Sequence, residues 1–427
     1  MTLHKSRRPP QRNSLCEGAE SATAFRWLAG FAINQRALPL GVCLATLPQL
    51  VPAYTEQDTR FASAYGILRD AIASRAFPSA SISITLGNEL VGLRAFGRYT
   101  FDAASPEVTA DTIFDLASVS KVTATATMAA ILYERGLLDL EMPLTSIVGE
   151  FAGEDPRRDE VTLRMLLAHS SGLPAYEKLF LRADSRESLL AAAFNVPLAN
   201  DPGSHAEYSD VGFILLGVAL ERLADDSLDH FSQHEIFGPL ALTHTTFTPP
   251  HSWRNRVAPT ADDRSFRHRI IQGEVQDENA SVMGGVAGHA GVFSTAFDCA
   301  LFARAMLARS APRESSDHLE QATTNPPADS PSILRPETIA LFTERQSSPE
   351  GTSRALGWDT PSPPSQSGHC FSQRSYGHLG YTGTSLWIDP ERRLTITLLT
   401  NRTWPDCTNQ AIKQVRPSFY DAVVEAL

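Results

Sequence analysis

The alternation of apolar and polar positions predicts helices and strands at both ends of the chain. Residues 59–74 have the apolar spacing of a helix, and two alternating runs around Gly87-Asn88 predict an antiparallel hairpin. Near the other end, YGHLGYTGTSLWIDP and RRLTITLLTNR predict two strands joined at residues 389–391, and a helix follows at about 408–425. Strands from opposite ends, separated by a helical block, predict an α/β fold of the α+β type, in which an antiparallel sheet is flanked by helices.

The stretch between the two sheet-forming ends is mostly helical in its patterning. Residues 114–138 contain a run of small and apolar side chains, which predicts a helix inside a core rather than on a surface. We expect a helical subdomain at roughly 138–300 within a main domain of residues 56–427. Residues 309–335 and 346–375 are rich in proline, serine and charge, which predicts loop insertions on the surface.

Residues 1–55 differ in composition from the rest of the chain. A basic start is followed by the uncharged, apolar run ALPLGVCLATLPQLVPA at residues 37–53, which is short for a membrane span. This pattern favours an export signal ending at residues 51–53, and therefore a periplasmic or extracellular protein. The alternative is a disordered leader on a cytoplasmic protein.

Composition narrows the class of protein. The 427 residues are 42% apolar and 20% charged, a globular balance, and the net charge of -11 argues against a nucleic-acid partner. The five cysteines are scattered without a Cys-x-x-Cys pair, so neither a zinc site nor a disulfide framework is predicted. We expect a small-molecule or peptide substrate and no stable membrane span. The sequence carries no indication of the oligomeric state.

A serine and a lysine three positions apart, Ser118 and Lys121, begin the apolar helix. Residues at this spacing share one helix face, so the Lys121 amine is expected beside the Ser118 hydroxyl. A serine becomes a nucleophile when a base takes its proton, and burial lowers a lysine pKa towards that role. A chance pair in a core helix is the alternative. It does not explain a buried charge with no acidic residue after it until Glu134.

Three further side chains are candidates for chemistry. Tyr208 stands just before a second apolar helix, where an ammonium neighbour would lower its pKa and let it shuttle protons. The alternative is a tyrosine that bonds a helix start, with Asp210 as the capping residue. His169 and His289 are more readily explained as structural than as catalytic histidines. The glycine-rich run around His289 is expected to pass close to a bound ligand.

Six stretches occur in an order that resembles the serine β-lactamase and penicillin-binding-protein superfamily, most closely its class C and esterase branch. The resemblance spans roughly residues 60–425. The stretches are FDLASVSK, LLAHSSGLP, YSDVGFILLG, FGPLALTHTTF, GGVAGHAGVFSTAFD and GHLGYTGTSLWIDP. No Gly-x-Ser-x-Gly occurs, so an α/β-hydrolase elbow is not the competing interpretation.

The resemblance implies roles for particular residues. Ser118 would be the acylated nucleophile, with Lys121 and Tyr208 as its proton-transfer network. The main-chain amides of Ser118 and Tyr381 would form the oxyanion hole. No metal or organic cofactor is needed for this chemistry. The implied substrate-binding residues are Asp210, His378, Gly380, Thr382 and Asp406.

Three positions depart from the pattern of the family. His378 replaces a lysine with a group near half-charged at neutral pH, and Asp210 and Asp406 stand where asparagine is usual. All three changes disfavour an anionic substrate. We therefore expect a serine hydrolase acting on a neutral ester, or on an amide with a free amine, rather than an efficient β-lactamase. The alternatives are a D,D-carboxypeptidase or β-lactamase, and a non-catalytic scaffold that binds peptidoglycan or a partner.

Overall fold

One six-stranded sheet organises the computed structural model, which describes residues 50–307 and 333–427. The sheet order is β1-β3-β2-β10-β9-β8, and two further pairs, β4 with β7 and β5 with β6, lie outside it. The strands are Val51–Pro52 (β1), Ser79–Leu86 (β2), Glu89–Gly97 (β3), Phe114–Asp115 (β4), Ala261–Asp263 (β5), Arg269–Ile271 (β6), Phe293–Ser294 (β7), Tyr376–Leu379 (β8), Ser385–Asp389 (β9) and Leu394–Thr400 (β10).

The two ends of the chain meet in the middle of the sheet, which confirms the predicted α+β architecture. β10 runs antiparallel to β2, from Leu394 opposite Leu86 to Thr400 opposite Ala80. Two details differ from the prediction. β1 pairs parallel with β3, so the sheet is mixed at that edge. The run YGHLGYTGTSLWIDP forms two strands, β8 and β9, because the chain turns back between Gly380 and Thr384.

Helices cover both faces of the sheet and build the region around it. They are Gln57–Arg60 (α1), Ala62–Ala73 (α2), Ala126–Glu134 (α3), Leu163–Leu167 (α4), Arg186–Phe194 (α5), Asp210–Ala224 (α6), Leu228–Ser232 (α7), Glu278–Val282 (α8), Ala296–Leu307 (α9), Pro336–Thr343 (α10) and Ile412–Glu425 (α11). α2 packs with α11 over one face of β2 and β10, and α9 packs on these strands too. Two apolar layers against one sheet give each layer its own core.

A second core, centred on α3 and α6, lies beside the sheet. Every residue from Ala126 to Leu132 on α3 is buried, as the apolar pattern predicts. The turn that leads into α3 is wider than an α-helical turn over Lys121–Thr125. Such wide turns are uncommon and concentrate at functional sites.

Part of the predicted insertion at 346–375 belongs to the core rather than the surface. Trp358 is buried and packs against Phe302 and Tyr376. Asp359 exchanges two main-chain hydrogen bonds with Gly377, at 2.8 and 2.9 Å, and so extends the sheet edge beside β8. The composition of residues 346–375 did not indicate these core contacts, because the segment has few buried residues among many prolines and serines.

Two predicted features fall mostly outside the described residues: the leader up to residue 49, and the first insertion as far as residue 332. Within residues 50–307 and 333–427, no helix is long and apolar enough to cross a membrane. No group of three or more potential metal-ligating side chains occurs within the same ranges.

Candidate active site

The candidate nucleophile stands on a strained turn between β4 and the buried helix. Ala117, directly before Ser118, has a left-handed φ of 47°. This conformation is unfavourable for a residue with a Cβ and occurs where the surroundings enforce it. The enforcing group is Asp115, whose carboxylate accepts the amides of Ala117 at 2.8 Å and Gln276 at 2.7 Å. Burial raises the pKa of Asp115 to about 6, although the two hydrogen bonds act to lower it.

Lys121 lies beside Ser118, as the spacing predicts, and it is fully buried. Its Nζ is 3.1 Å from Ser118 Oγ, 2.6 Å from Asp210 Oδ1 and 2.9 Å from the His289 carbonyl oxygen. Burial lowers the pKa of Lys121, and the Asp210 carboxylate opposes that shift in part. The sequence showed no acidic neighbour because the partner comes from α6, 89 residues further on. Asp210, predicted as a substrate-binding residue, is thus the ion-pair partner of Lys121.

Tyr208 completes a three-residue contact around the serine. Its hydroxyl donates to Ser118 Oγ at 2.7 Å. Burial, followed by the Asp210 carboxylate, raises the pKa of Tyr208 well above 10. The predicted lowering of this pKa by the ammonium is therefore wrong, because desolvation outweighs it. Tyr208 is a phenol at neutral pH and acts as a hydrogen-bond donor.

His378 occupies the strand beside the site, on β8, and it is neutral rather than half-charged. Burial, followed by the charges of Lys121 and Arg354, lowers the pKa of His378 well below 6.5. Its Nδ1–H donates to the Leu379 carbonyl at 2.8 Å, and its buried Nε2 has no hydrogen-bond partner among the described residues. The predicted partial charge at this position is thus wrong, because the imidazole is removed from water.

The turn after β8 is fitted closely against the main chain that precedes Ser118. A Cβ at Gly380 would lie 2.0 Å from Thr384 Oγ1 and 2.5 Å from the Leu116 carbonyl oxygen. Thr382, predicted to bind substrate, is fully buried, and its hydroxyl donates to the Asp115 carbonyl at 2.8 Å. Gly380 and Thr382 therefore hold the serine turn against this strand.

Tyr381 and Asp406 are the two exposed members of the predicted set. The Tyr381 side chain is half-exposed, and among the described residues its amide donates to no protein acceptor. That amide is free to bond a substrate oxygen. Asp406 is exposed, and its Oδ1 accepts the Thr408 amide at 2.9 Å. In the described part of the chain, no hydrogen bond joins Asp406 to Ser118, Lys121 or Tyr208.

Two charged groups at the site escaped the sequence analysis. The Arg354 guanidinium carbon lies 5.4 Å from the centre of the Tyr208 ring, and Arg354 pairs with Asp359 at 2.6 Å. Asp277 accepts from His289 Nε2 at 2.8 Å, and the His289 carbonyl in turn accepts from Lys121. Neither Arg354 nor Asp277 stands in a recognisable local motif, because each is brought to the site by folding from a distant part of the sequence.

The glycine-rich run packs closely against α6 and the segment that leads into α3. A Cβ on Gly217 of α6 would lie 3.0 Å from the Gly288 Cα. The Gly288 carbonyl accepts from the Thr125 hydroxyl at 2.7 Å. The glycines thus let α6 approach the segment that presents the His289 carbonyl to Lys121.

Gly380→Ala is expected to lower the free energy of unfolding by about 1–3 kcal/mol, because main-chain atoms cannot yield to the added Cβ. Chemical denaturation measures the change. Gly66→Ala is the matched control: a Cβ there meets nothing within 4 Å, and alanine in α2 should stabilise by about 1 kcal/mol. Equal stability of the two variants would contradict the close fit at Gly380.

Comparison with known proteins places this chain in a family. Residues 65–415 match the family model described as Beta-lactamase. A putative D-alanyl-D-alanine carboxypeptidase of Escherichia coli K12 is 30% identical over 359 residues, 76% of this chain and 79% of that protein. An N-acetylmuramyl-L-alanine amidase of Bacillus subtilis 168 is 31% identical over 320 residues, 68% of each chain.

Solved structures share the fold at lower identity. EstCE1, a hydrolase with promiscuous acyltransferase activity, superposes with a TM-score of 0.68 at 19% identity, covering 86% of this chain and 99% of that one. A class C β-lactamase from Rhodobacter sphaeroides has a TM-score of 0.63 at 20% identity, covering 85% and 99%. The family-model match over residues 65–415 and the relatives at 30% and 31% identity show that the chain belongs to the β-lactamase family, and it is a serine hydrolase.

Proposed function

We propose that this protein hydrolyses ester or amide bonds through an acyl-enzyme formed on Ser118. The observation that carries the proposal is the pair of contacts at Ser118 Oγ, with Lys121 Nζ at 3.1 Å and the Tyr208 hydroxyl at 2.7 Å. A serine bonded at once to a buried amine and a phenol has both a base and a proton donor within reach.

The partners of Lys121 define the direction of proton transfer. The Asp210 carboxylate and the His289 carbonyl accept hydrogen bonds only, so they take both N–H groups of a neutral amine. The lone pair of that amine is then left for the Ser118 hydroxyl. Tyr208 donates to the same oxygen, which leaves the serine proton directed at Lys121. Burial supports the neutral amine, and Asp210 stabilises the ammonium that forms.

The reaction then proceeds in two balanced halves. Ser118 Oγ bonds to the substrate carbonyl carbon while its proton passes to Lys121. The oxyanion is bound by the amides of Ser118 and Tyr381, and the proton returns through Tyr208 to the leaving oxygen or nitrogen as its bond to carbon breaks. Water adds to the acyl group by the same route in reverse, which releases the acid and restores the serine.

A neutral ester, or an amide with a free amine, suits this site better than a β-lactam. Strand β8 presents neutral His378, so it offers no cation to a substrate carboxylate. The charge of Arg354, the cation beside Tyr208, is balanced by the Asp359 carboxylate at 2.6 Å. We expect slow turnover of nitrocefin relative to a neutral p-nitrophenyl ester, measured as kcat/KM for each. Rapid nitrocefin turnover would contradict this substrate preference.

A D,D-carboxypeptidase is the second candidate, and Arg354 is the observation that favours it. In the described residues, the Arg354 guanidinium makes one hydrogen bond, to Asp359 at 2.6 Å, so further N–H groups remain to bind a peptide carboxylate. The relatives named as a putative carboxypeptidase and an amidase support a peptidoglycan substrate. Release of D-alanine from a peptide ending in D-Ala-D-Ala, with no ester turnover, would favour this candidate.

A fluorophosphonate probe tests the acyl-enzyme directly and separates catalysis from a binding scaffold. We expect labelling of the wild type and none of Ser118→Ala. Ser120→Ala is the matched control, because the Ser120 hydroxyl accepts the Val292 amide at 3.0 Å and serves packing. Ser120→Ala should keep its label while losing some stability. Absence of label on folded wild type would favour the scaffold.

We also propose that the protein is exported, with the signal cut before residue 50. The relatives named for cell-wall activities support export. The Val51 amide donates to Asn88 and the Ala53 amide to Leu90, so cleavage after Ala53 would remove β1 from the sheet. Sequencing the N-terminus of protein recovered from outside the cytoplasm tests the position of signal cleavage. A mature start beyond residue 50 would contradict it.

A further inference from the structure

One buried histidine, His169, accepts hydrogen bonds from the main chain on both sides of Tyr208. The His169 carbonyl oxygen accepts the Glu207 amide at 2.8 Å, and His169 Nδ1 accepts the Ser209 amide at 3.0 Å. The imidazole also lies against the phenol ring of Tyr208, with 4.6 Å between ring centres. A single residue thus fixes the main chain before Tyr208, the main chain after it, and one face of its ring.

The hydrogen bond from Ser209 to His169 also helps to position Asp210, the partner of Lys121. Ser209 caps α6, since its hydroxyl accepts the Gly212 amide at 3.0 Å. The next residue, Asp210, begins that helix and bonds Lys121 at 2.6 Å. Any shift of the Ser209 main chain therefore moves both the phenol and the carboxylate of the candidate site.

His169 occupies its place at a free-energy cost. Its φ of 56° is left-handed, a region that few residues with a Cβ adopt, although histidine is among the more frequent of them. Burial, followed by the charges of Arg354 and Lys121, lowers the pKa of His169 well below 6.5, so the ring is neutral. With Nδ1 accepting a hydrogen bond, the proton is on Nε2, which is buried without a partner in the described residues. Strain and an unsatisfied donor in one residue indicate a role beyond packing.

We propose that His169 is a positioning residue, whose neutral imidazole accepts the Ser209 amide and holds the Tyr208 hydroxyl against Ser118. It acts through Tyr208 and does not itself exchange a proton with the substrate. The inference rests on the proposed function, because it assigns His169 to the proton donor of that reaction.

Two substitutions distinguish the effect of the Nδ1 hydrogen-bond acceptor from the effect of the aromatic ring of His169. His169→Asn places an amide oxygen near the position of Nδ1, and asparagine tolerates a left-handed φ. His169→Phe keeps an aromatic ring against Tyr208 but removes the acceptor. With a neutral p-nitrophenyl ester as the probe, we expect His169→Asn to retain kcat within a few-fold. We expect His169→Phe to lower kcat about 10- to 100-fold with KM nearly unchanged, as misplaced catalytic groups do.

A double-mutant cycle with Tyr208→Phe distinguishes positioning from a structural effect. If His169 acts by placing the Tyr208 hydroxyl, His169→Phe should cost clearly less in kcat once that hydroxyl is gone, and the remaining loss reports the displacement of Asp210. His169→Gln, which moves the acceptor by one methylene, repeats the cycle should the phenylalanine variant not fold. An equal loss of kcat in both backgrounds would overturn the positioning role.

The outcomes also separate this inference from the proposed function. Unchanged kcat in His169→Phe, alongside a loss in Tyr208→Phe, would overturn the inference and leave the proposed function intact. Failure of folded wild type to turn over any ester or amide would overturn the proposed function, and the role of His169 with it.

Discussion

Lys121→Met is expected to lower kcat for ester hydrolysis by about 10³-fold, because it removes the only base within reach of Ser118 Oγ among the described residues. Methionine has a similar length and fits a buried position, so the loss reports the amine rather than a cavity. Steady-state kinetics with a p-nitrophenyl ester, and the rate of fluorophosphonate labelling, measure the effect.

The same substitution should also reduce stability, for a separate reason. Below the pKa of Lys121, where the amine is charged, it leaves the Asp210 carboxylate, only 17% exposed, without its ion-pair partner at 2.6 Å. Breaking a buried pair costs about 3–5 kcal/mol, whereas removing both charges is close to neutral. Lys121→Met combined with Asp210→Asn should therefore recover the free energy of unfolding but not kcat. Recovery of activity in the double variant would show that Lys121 is structural.

Asp210→Asn is expected to shift the acid limb of the pH profile of kcat/KM to lower pH. Lys121 acts as a base when it is neutral, so activity rises as pH increases through its pKa. Asp210 holds that pKa up against burial, and its replacement by a neutral amide lowers the pKa further. The base is then active in more acidic solution. A limb that stays in place or moves to higher pH would argue against Lys121 as the base.

Other titrating groups do not account for a difference between the pH profiles of the wild type and Asp210→Asn. Asp277 raises the pKa of Lys121 and Arg354 lowers it, but both are the same in wild type and variant. Asp115, with a pKa of about 6, contributes equally to both profiles. Burial is the largest cause of the raised pKa of Tyr208 and is unchanged by the substitution, so the phenol does not affect the acid limb of either profile. The difference between the profiles therefore reports the ion pair.

Local patterns in the sequence were sufficient for the fold and for the contact between Ser118 and Lys121. Both depend on short-range periodicity: the hairpin at Gly87-Asn88, the alternation in β10, and one helical turn between serine and lysine. The order of the family's motifs then brought Tyr208 to the same oxygen, where the structure also places it.

What the sequence could not supply is the electrostatic environment of these groups. The direction of the Tyr208 pKa depends on desolvation and on Asp210 together, and the neutrality of His378 depends on its burial beneath the site. Arg354 was hidden in a segment whose composition is typical of surface loops. Such properties arise from residues far apart in the chain, so they require three-dimensional coordinates.

The pairing of β2 with β10 has a consequence for the order in which this protein folds. The two central strands are separated by more than 300 residues, so the sheet forms through contacts of very long sequence range. Loop-closure entropy makes such contacts slow to form, and β10 is synthesised long after β2. The strand edge that meets Ser118 depends on the same late sheet. Nucleophile and oxyanion amide therefore come together only after β10 has been synthesised and has paired with β2.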